Sequence, residues 1–199
     1  MASNVEIANR ALTKIGSKRI IALTDNTKEG REANSMFSIV RDAELRKFNW
    51  RFSIKRAQIA AQSDAPAFGY SYQYRAPADC LKILEVGDYY PGAGLDDYVT
   101  GDTSEYAYEN GLILTDYAAP LNLRYVARIE DPTLFDALFV EAFACKLAME
   151  LAEPITQSNT KRELATREYG MAIRDAVRNN AIEKPPVKTA DDTWMLARL

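Results

Sequence analysis

The stretch Asp131-Pro132-Thr133-Leu134-Phe135-Asp136-Ala137-Leu138-Phe139-Val140-Glu141-Ala142-Phe143-Ala144-Cys145-Lys146-Leu147-Ala148-Met149-Glu150-Leu151 decides how this chain folds. Asp131-Pro132 reads as a helix cap with proline at the first helical position, where its missing N–H costs nothing. Leu134, Phe135, Leu138, Phe139, Ala142, Phe143, Leu147 and Leu151 then recur at helical spacing, and the helix is expected to end before Pro154. The apolar surface is too wide for a single stripe. The helix is therefore expected at the centre of a bundle, with Leu138, Phe139, Ala142 and Phe143 buried.

Working outward, the partners of this helix come from both ends of the chain. Asn4 is a candidate cap for a first helix with Ile7, Ala8, Ala11, Leu12 and Ile15 inward and Gly16 closing it. A second helix is expected from about Thr27 to about Asn49. Its apolar face is Ala33, Met36, Phe37, Val40, Ala43 and Phe48, and its other face carries Arg31, Arg41, Arg46 and Lys47. Beyond Pro154 the pattern predicts a helix over about 156–181, with Leu164, Ala165, Tyr169, Ala172, Ile173 and Ala176 inward.

Between these segments the composition changes. Six of the nine glycines lie between Gly69 and Gly111, and ten of the eleven tyrosines between Tyr70 and Tyr125, which marks a β region. Trp50–Lys55, Tyr70–Tyr74, Leu81–Val86 and Leu121–Arg128 read as strands. Glu105–Glu109 and Leu112–Thr115 flank Asn110-Gly111, the pair that suits a type I′ hairpin turn. The expected fold is α+β: a helical bundle made by 1–62 and 132–183, an inserted antiparallel sheet or small β-sandwich over 63–131, and an extended C-terminal tail over 184–199. Pro185-Pro186 blocks helix continuation there, while Trp194, Met195, Leu196, Arg198 and Leu199 make the tip a candidate docking segment.

The totals exclude much chemistry. Histidine is absent, which removes the Ser/His/Asp triad, the Cys/His dyad and most zinc sites. Cys80 and Cys145 lack metal-ligand or CxxC spacing and read as small buried hydrophobes, with a disulfide or reactive thiol as the alternative. There is no phosphate-binding glycine loop, HExxH, GxSxG or EF-hand pattern. No membrane span and no secretory signal are expected, which points to synthesis in a cytoplasm. No cofactor and no metal site are expected. Net charge is −3, but residues 1–60 hold twelve Lys/Arg against six Asp/Glu and residues 61–131 hold four against twelve. Such segregation points to contact surfaces rather than to catalysis.

Three constellations carry weighable alternatives. Asp96, Asp97, Asp102 and Glu105 could bind Ca²⁺ or act as acid and base, but lack the ordered spacing of a calcium loop and read as a solvated loop. Arg41 to Arg56 places six basic residues among Phe48, Trp50 and Phe52, a pattern fit for nucleic acid or simply for a solvated basic face. The tyrosine-rich strands could stack on sugars, which keeps a glycan-binding or carbohydrate-active module as an alternative, or be half-buried β residues.

The chain also resembles a known family. Asn4–Leu12 followed by Ile15-Gly16, Asn49–Ala57, Ala65–Tyr70 through Tyr74, Pro77–Leu84 and Asp192–Arg198 look like the corresponding stretches of the tail tubular protein A family, the head-to-tail adaptors of short-tailed bacteriophages. The resemblance covers nearly the whole chain in order. It implies a structural virion protein of the phage tail, in a ring of usually twelve copies beneath the portal. Helices would contact the portal and neighbouring subunits, the β part would point toward the tail nozzle, and double-stranded DNA would pass down the lumen. On this reading Arg31, Arg41, Arg46 and Lys47 are expected at a subunit or portal interface. Asp96, Asp97, Asp102 and Glu105 are expected along the lumen, where a sliding surface should not grip phosphates.

Overall fold

A computed structural model describes residues 3–87 and 106–183. The described residues form an α+β fold with four helices and two small antiparallel sheets of three strands each. The chain divides into two compact units, one of residues 1–54 and 126–183 and one built on 55–125, where the sequence pattern placed the boundaries at 62/63 and 131/132.

The first unit is helical: α1 (Asn4–Lys14), α2 (Lys28–Lys47), α3 (Ala137–Thr156) and α4 (Asn159–Ile182). Ser3, not Asn4, caps α1; its hydroxyl accepts from the Glu6 N–H while the Glu6 carboxylate accepts from the Ser3 N–H. Ile7, Ala8, Ala11, Leu12 and Ile15 are buried as expected, and Gly16 takes φ +67°. Thr27 caps α2 through the Gly30 N–H. On α2 the buried set is Gly30, Ala33, Phe37, Val40, Arg41, Glu44 and Leu45, whereas Ala43 is exposed. The inward stripe is thus rotated toward Leu45, and Arg41 is drawn inside with it.

α3 packs against the other three helices and buries more residues than any of them. Its start corrects the expectation. Asp131 caps only a short 3₁₀ turn over Pro132–Leu134, and extended Phe135 interrupts the helix. Asp136 caps α3 proper, accepting from the Leu138 N–H (2.8 Å) and the Phe139 N–H (3.2 Å). The break turns Phe135 inward and leaves Leu134 and Leu138 outside. Leu138 is 38% exposed, so of the four residues expected at the centre only Phe139, Ala142 and Phe143 are there. Nor does Pro154 end α3. It sits in the last turn, and Gln157 in the left-handed region (φ +52°) stops the helix instead. Ser158 then caps α4, which makes α3 and α4 a tight helical hairpin.

Trp50 does not begin a strand. Residues Arg51–Ser53 form a 3₁₀ turn in which the Ser53 N–H and hydroxyl both reach the Trp50 carbonyl (3.0 and 2.9 Å). That turn delivers Trp50 and Phe52 to an aromatic cluster with Phe37, Phe48, Phe135, Phe139 and Phe143, at centroid separations of 5.0–6.4 Å and mostly tilted or edge-on. Each such pair contributes about 0.5–1.5 kcal/mol beyond its area.

The second unit holds the two sheets, ordered β1 (Ile54–Ile59), β6 (Leu121–Ala127), β3 (Cys80–Val86) and β2 (Tyr72–Arg75), β5 (Leu112–Thr115), β4 (Tyr106–Glu109). The β4–β5 hairpin forms as the Asn-Gly pair predicts, with φ +49° at Asn110 and +77° at Gly111. In β2 the tyrosines do not share one environment. Tyr74 is fully buried and donates its hydroxyl to the Tyr117 carbonyl (2.7 Å), while Tyr72 is exposed. Cys145 is buried in α3 and Cys80 half-buried; neither forms a disulfide.

Candidate functional site

The basic face of α2 is where sequence placed an interface, and the structure distributes its four residues unequally. Arg41 is only 8% exposed, which corrects its assignment to the outward face. Its Nε donates to Asp42 Oδ1 (2.9 Å), Asp42 Oδ2 accepts from Arg128 Nε (2.8 Å), and Glu130 lies 3.9 Å from the Arg41 guanidinium. Two arginines thus straddle one carboxylate, so the charge of Arg41 is answered inside its own unit. Lys47 donates to the Tyr169 hydroxyl (2.6 Å), which in turn donates to the buried Glu44 carboxylate, 2.9 Å from each oxygen. Burial pushes the Tyr169 hydroxyl up, and the Glu44 charge adds to the effect. Lys47 and Lys146 lie 5.0 and 5.6 Å from the Tyr169 ring centre. Arg31 and Arg46 are exposed, with Arg31 donating to Asn26 Oδ1 (2.7 Å). Only part of the basic segment therefore faces outward.

A second polar cluster ties α1 to the α3–α4 hairpin. Lys14 Nζ bonds Glu141 (2.8 Å) and Glu168 (3.1 Å), and Arg10 pairs with Glu141. Burial disfavours the Lys14 charge, yet its two carboxylate partners outweigh it and hold the ammonium above its usual range. Burial likewise opposes the Glu141 charge, and Lys14 and Arg10 together hold its carboxyl low. In the β unit, Asp79 accepts from Lys55 (2.8 Å) and from the Tyr125 hydroxyl (3.0 Å). Burial and Asp79 push Tyr125 up to about 12. These pairs hold elements together.

Among the described residues no group of three or more His, Cys, Asp or Glu could hold a metal ion, and no helix is long and apolar enough to cross a membrane. Asp96, Asp97, Asp102 and Glu105 lie outside the described residues, as do Trp194, Met195, Leu196, Arg198 and Leu199.

No family model matches the chain, and no curated protein matches it.

What sequence reasoning missed is the outer face of α4. Leu164 was expected inward but is 54% exposed; Met171 and Ile182 are exposed as well. These three recur after seven and eleven residues, nearly whole numbers of turns, so they form one stripe. Arg167, Arg174 and Arg178 run beside it, all exposed. None of the three arginines has an ion-pair partner among the described residues. The signal was present in the sequence: Leu164 and Ala165 are adjacent, so they cannot both lie on the midline of one helical face.

Proposed function

We propose that this chain is a structural virion protein, the head-to-tail adaptor ring of a short-tailed bacteriophage, joining the portal to the tail nozzle and forming part of the DNA channel. The observation that carries the reading is the order of elements. A helical unit assembled from both ends of the chain carries a separate β unit, the layout expected of a subunit that meets different neighbours with different parts. The near full-length resemblance to the tail tubular family supports it, and so does the charge segregation. In this role the chain works by presenting surfaces, and no hydrolase, nuclease or transferase activity is expected. The acidic residues Asp96, Asp97, Asp102 and Glu105 would face the lumen, and the Trp194–Leu199 tip would dock on the portal or an adjacent copy.

Particle mass tests the reading. Mixed with portal rings of short-tailed phages, the protein should add a ring of usually twelve copies to one of them, and deletion of residues 186–199 should abolish that addition. Failure to bind any such portal ring, with the chain remaining free in every mixture, overturns it.

A further inference from the structure

Two exposed patches of the helical unit complement each other and are not joined within the chain. The first is the outer face of α4: Arg167, Arg174 and Arg178 beside Leu164, Met171 and Ile182. Its arginines span twelve residues, about 16 Å of helix. Gly170 lies among them with open space where a Cβ would stand, so no described residue of its own chain requires a glycine there, and a close approach from outside is free. The second patch is the segment leading into α3. Glu130, Asp131 and Asp136 are exposed, and Leu134 and Leu138 stand out of the same nine residues. Their exposure follows from the Phe135 break, which turned both leucines outward.

Three guanidinium groups with an aliphatic stripe match three carboxylates with two leucines. Asp131 and Asp136 use one oxygen each for capping, which leaves the other available. Among the described residues Glu130 has only the distant Arg41 contact at 3.9 Å. Carboxylate–guanidinium pairs give register and orientation, and the leucines give apolar area that water does not favour leaving exposed.

We infer that the α4 face of one copy of this chain receives the 130–138 patch of a second copy. Because the two patches differ, the contact is heterologous: each copy offers one patch forward and one back, and the series closes into a ring when the rotation per copy allows it. The inference deepens the ring reading of the proposed function and rests on it only for closure.

The test uses two variants of the full chain that each lose one side. R167E/R174E/R178E reverses α4 and keeps the acidic patch. E130R/L134R reverses the patch, keeps both capping aspartates and keeps α4. Sedimentation velocity at low salt should show concentration-dependent association of the unmodified protein. Each variant alone should associate at least tenfold more weakly while keeping a cooperative circular dichroism melt, unchanged for R167E/R174E/R178E and lowered modestly for E130R/L134R, because Glu130 faces the buried Arg41. Mixed, they should recover a 1:1 complex, since the α4 face of E130R/L134R and the patch of R167E/R174E/R178E are both intact. The other contact has both charges reversed but lacks the Leu134 side chain and sets the retained Asp131 and Asp136 against glutamates, so growth beyond the pair should be weaker than in the unmodified protein. Association should weaken as salt screens the pairs. An unmodified protein that stays monomeric at every concentration overturns the inference, and so does a mixture no more associated than its separate components. Portal-ring binding read on the same samples separates the two readings. A ring that forms on a portal from R167E/R174E/R178E sinks this contact and leaves the adaptor role standing, whereas self-association without portal binding does the reverse.

Discussion

α3 and α4 are consecutive helices of 20 and 24 residues packed as one hairpin, yet they are held by different physics. α3 buries ten residues, among them Phe139, Phe143, Leu147 and Leu151. α4 buries only Ala165 and Ala176, so small side chains let its backbone approach α3 closely, while Tyr169, Ile173 and Val177 are half-buried and Leu164, Met171 and Ile182 stay outside. Polar ties do the rest: Tyr169 to Glu44, Glu168 to Lys14, Lys161 Nζ to the Ile15 carbonyl (2.7 Å), and Asn180 to the backbone at Asn49 (3.1 Å) and Arg51 (3.0 Å). A helix built into the core is constrained on every side. A helix tied on by hydrogen bonds keeps one face for another use.

The largest break in this comparison is Phe139→Ala. The ring is fully buried against Trp50, Phe52, Phe135 and Phe143. Its loss should cost about 3–5 kcal/mol, read as a shift of the urea midpoint at unchanged slope. A shift worth less than about 1 kcal/mol would mean that α3 is not the centre of the unit.

Next comes Tyr169→Phe, which keeps the ring and removes the hydroxyl. Glu44 is 2% exposed and would keep only the lysine contact at 3.9 Å. The expected loss is about 1–3 kcal/mol, the cost of leaving a buried acceptor without its donor. Equal stability of the two proteins in urea melts would show that α4 does not depend on this bond.

Sequence reached α3 and stopped short of α4 for a physical reason. The period of apolar residues marks a face reliably when that face is buried on most sides, so Phe139 and Phe143 were legible. It cannot tell an inward leucine from an outward one when the helix also has an outer apolar stripe, so Leu164 was misplaced. The α3 start was misread because Asp131-Pro132 and Asp136 are both valid caps, and only packing of Phe135 among Phe52 and Phe139 chooses between them. The Asn110-Gly111 turn was legible because its backbone requirement is local. Arg41 was not, because its burial depends on Asp42, Glu130 and Arg128, two of them far away in sequence.

A smaller effect distinguishes the polar ties by pH. The Glu141 carboxyl is held below its ordinary value of 4.5 by Lys14 and Arg10 against the opposing effect of burial. A carboxyl depressed in the folded state contributes stability above its unfolded pKa and loses it as pH falls through the folded value. Lys14→Met should therefore cost about 1 kcal/mol near neutrality, with the difference from the unmodified protein shrinking as pH falls below about 4.5. Melts in which that difference stays constant from neutral to acid pH would show that the cluster adds nothing through charge.

The smallest expected effect is also the sharpest contrast, because it compares one residue type on the two helices. Leu147 on α3 is fully buried, and Leu147→Ala should cost about 2–5 kcal/mol through lost burial and the cavity left behind. Leu164 on α4 is 54% exposed. Its side chain is already half in water when folded, so truncation removes little transfer free energy and encloses no cavity. Alanine is also at least as good a helix former. Leu164→Ala should therefore move the stability of the single chain by no more than about 0.5 kcal/mol in either direction. Its effect should appear instead in association, as weaker self-association of the variant in sedimentation velocity at equal concentration. A loss of more than about 1.5 kcal/mol in the urea melt would place Leu164 in its own chain's core and remove the apolar half of the α4 surface.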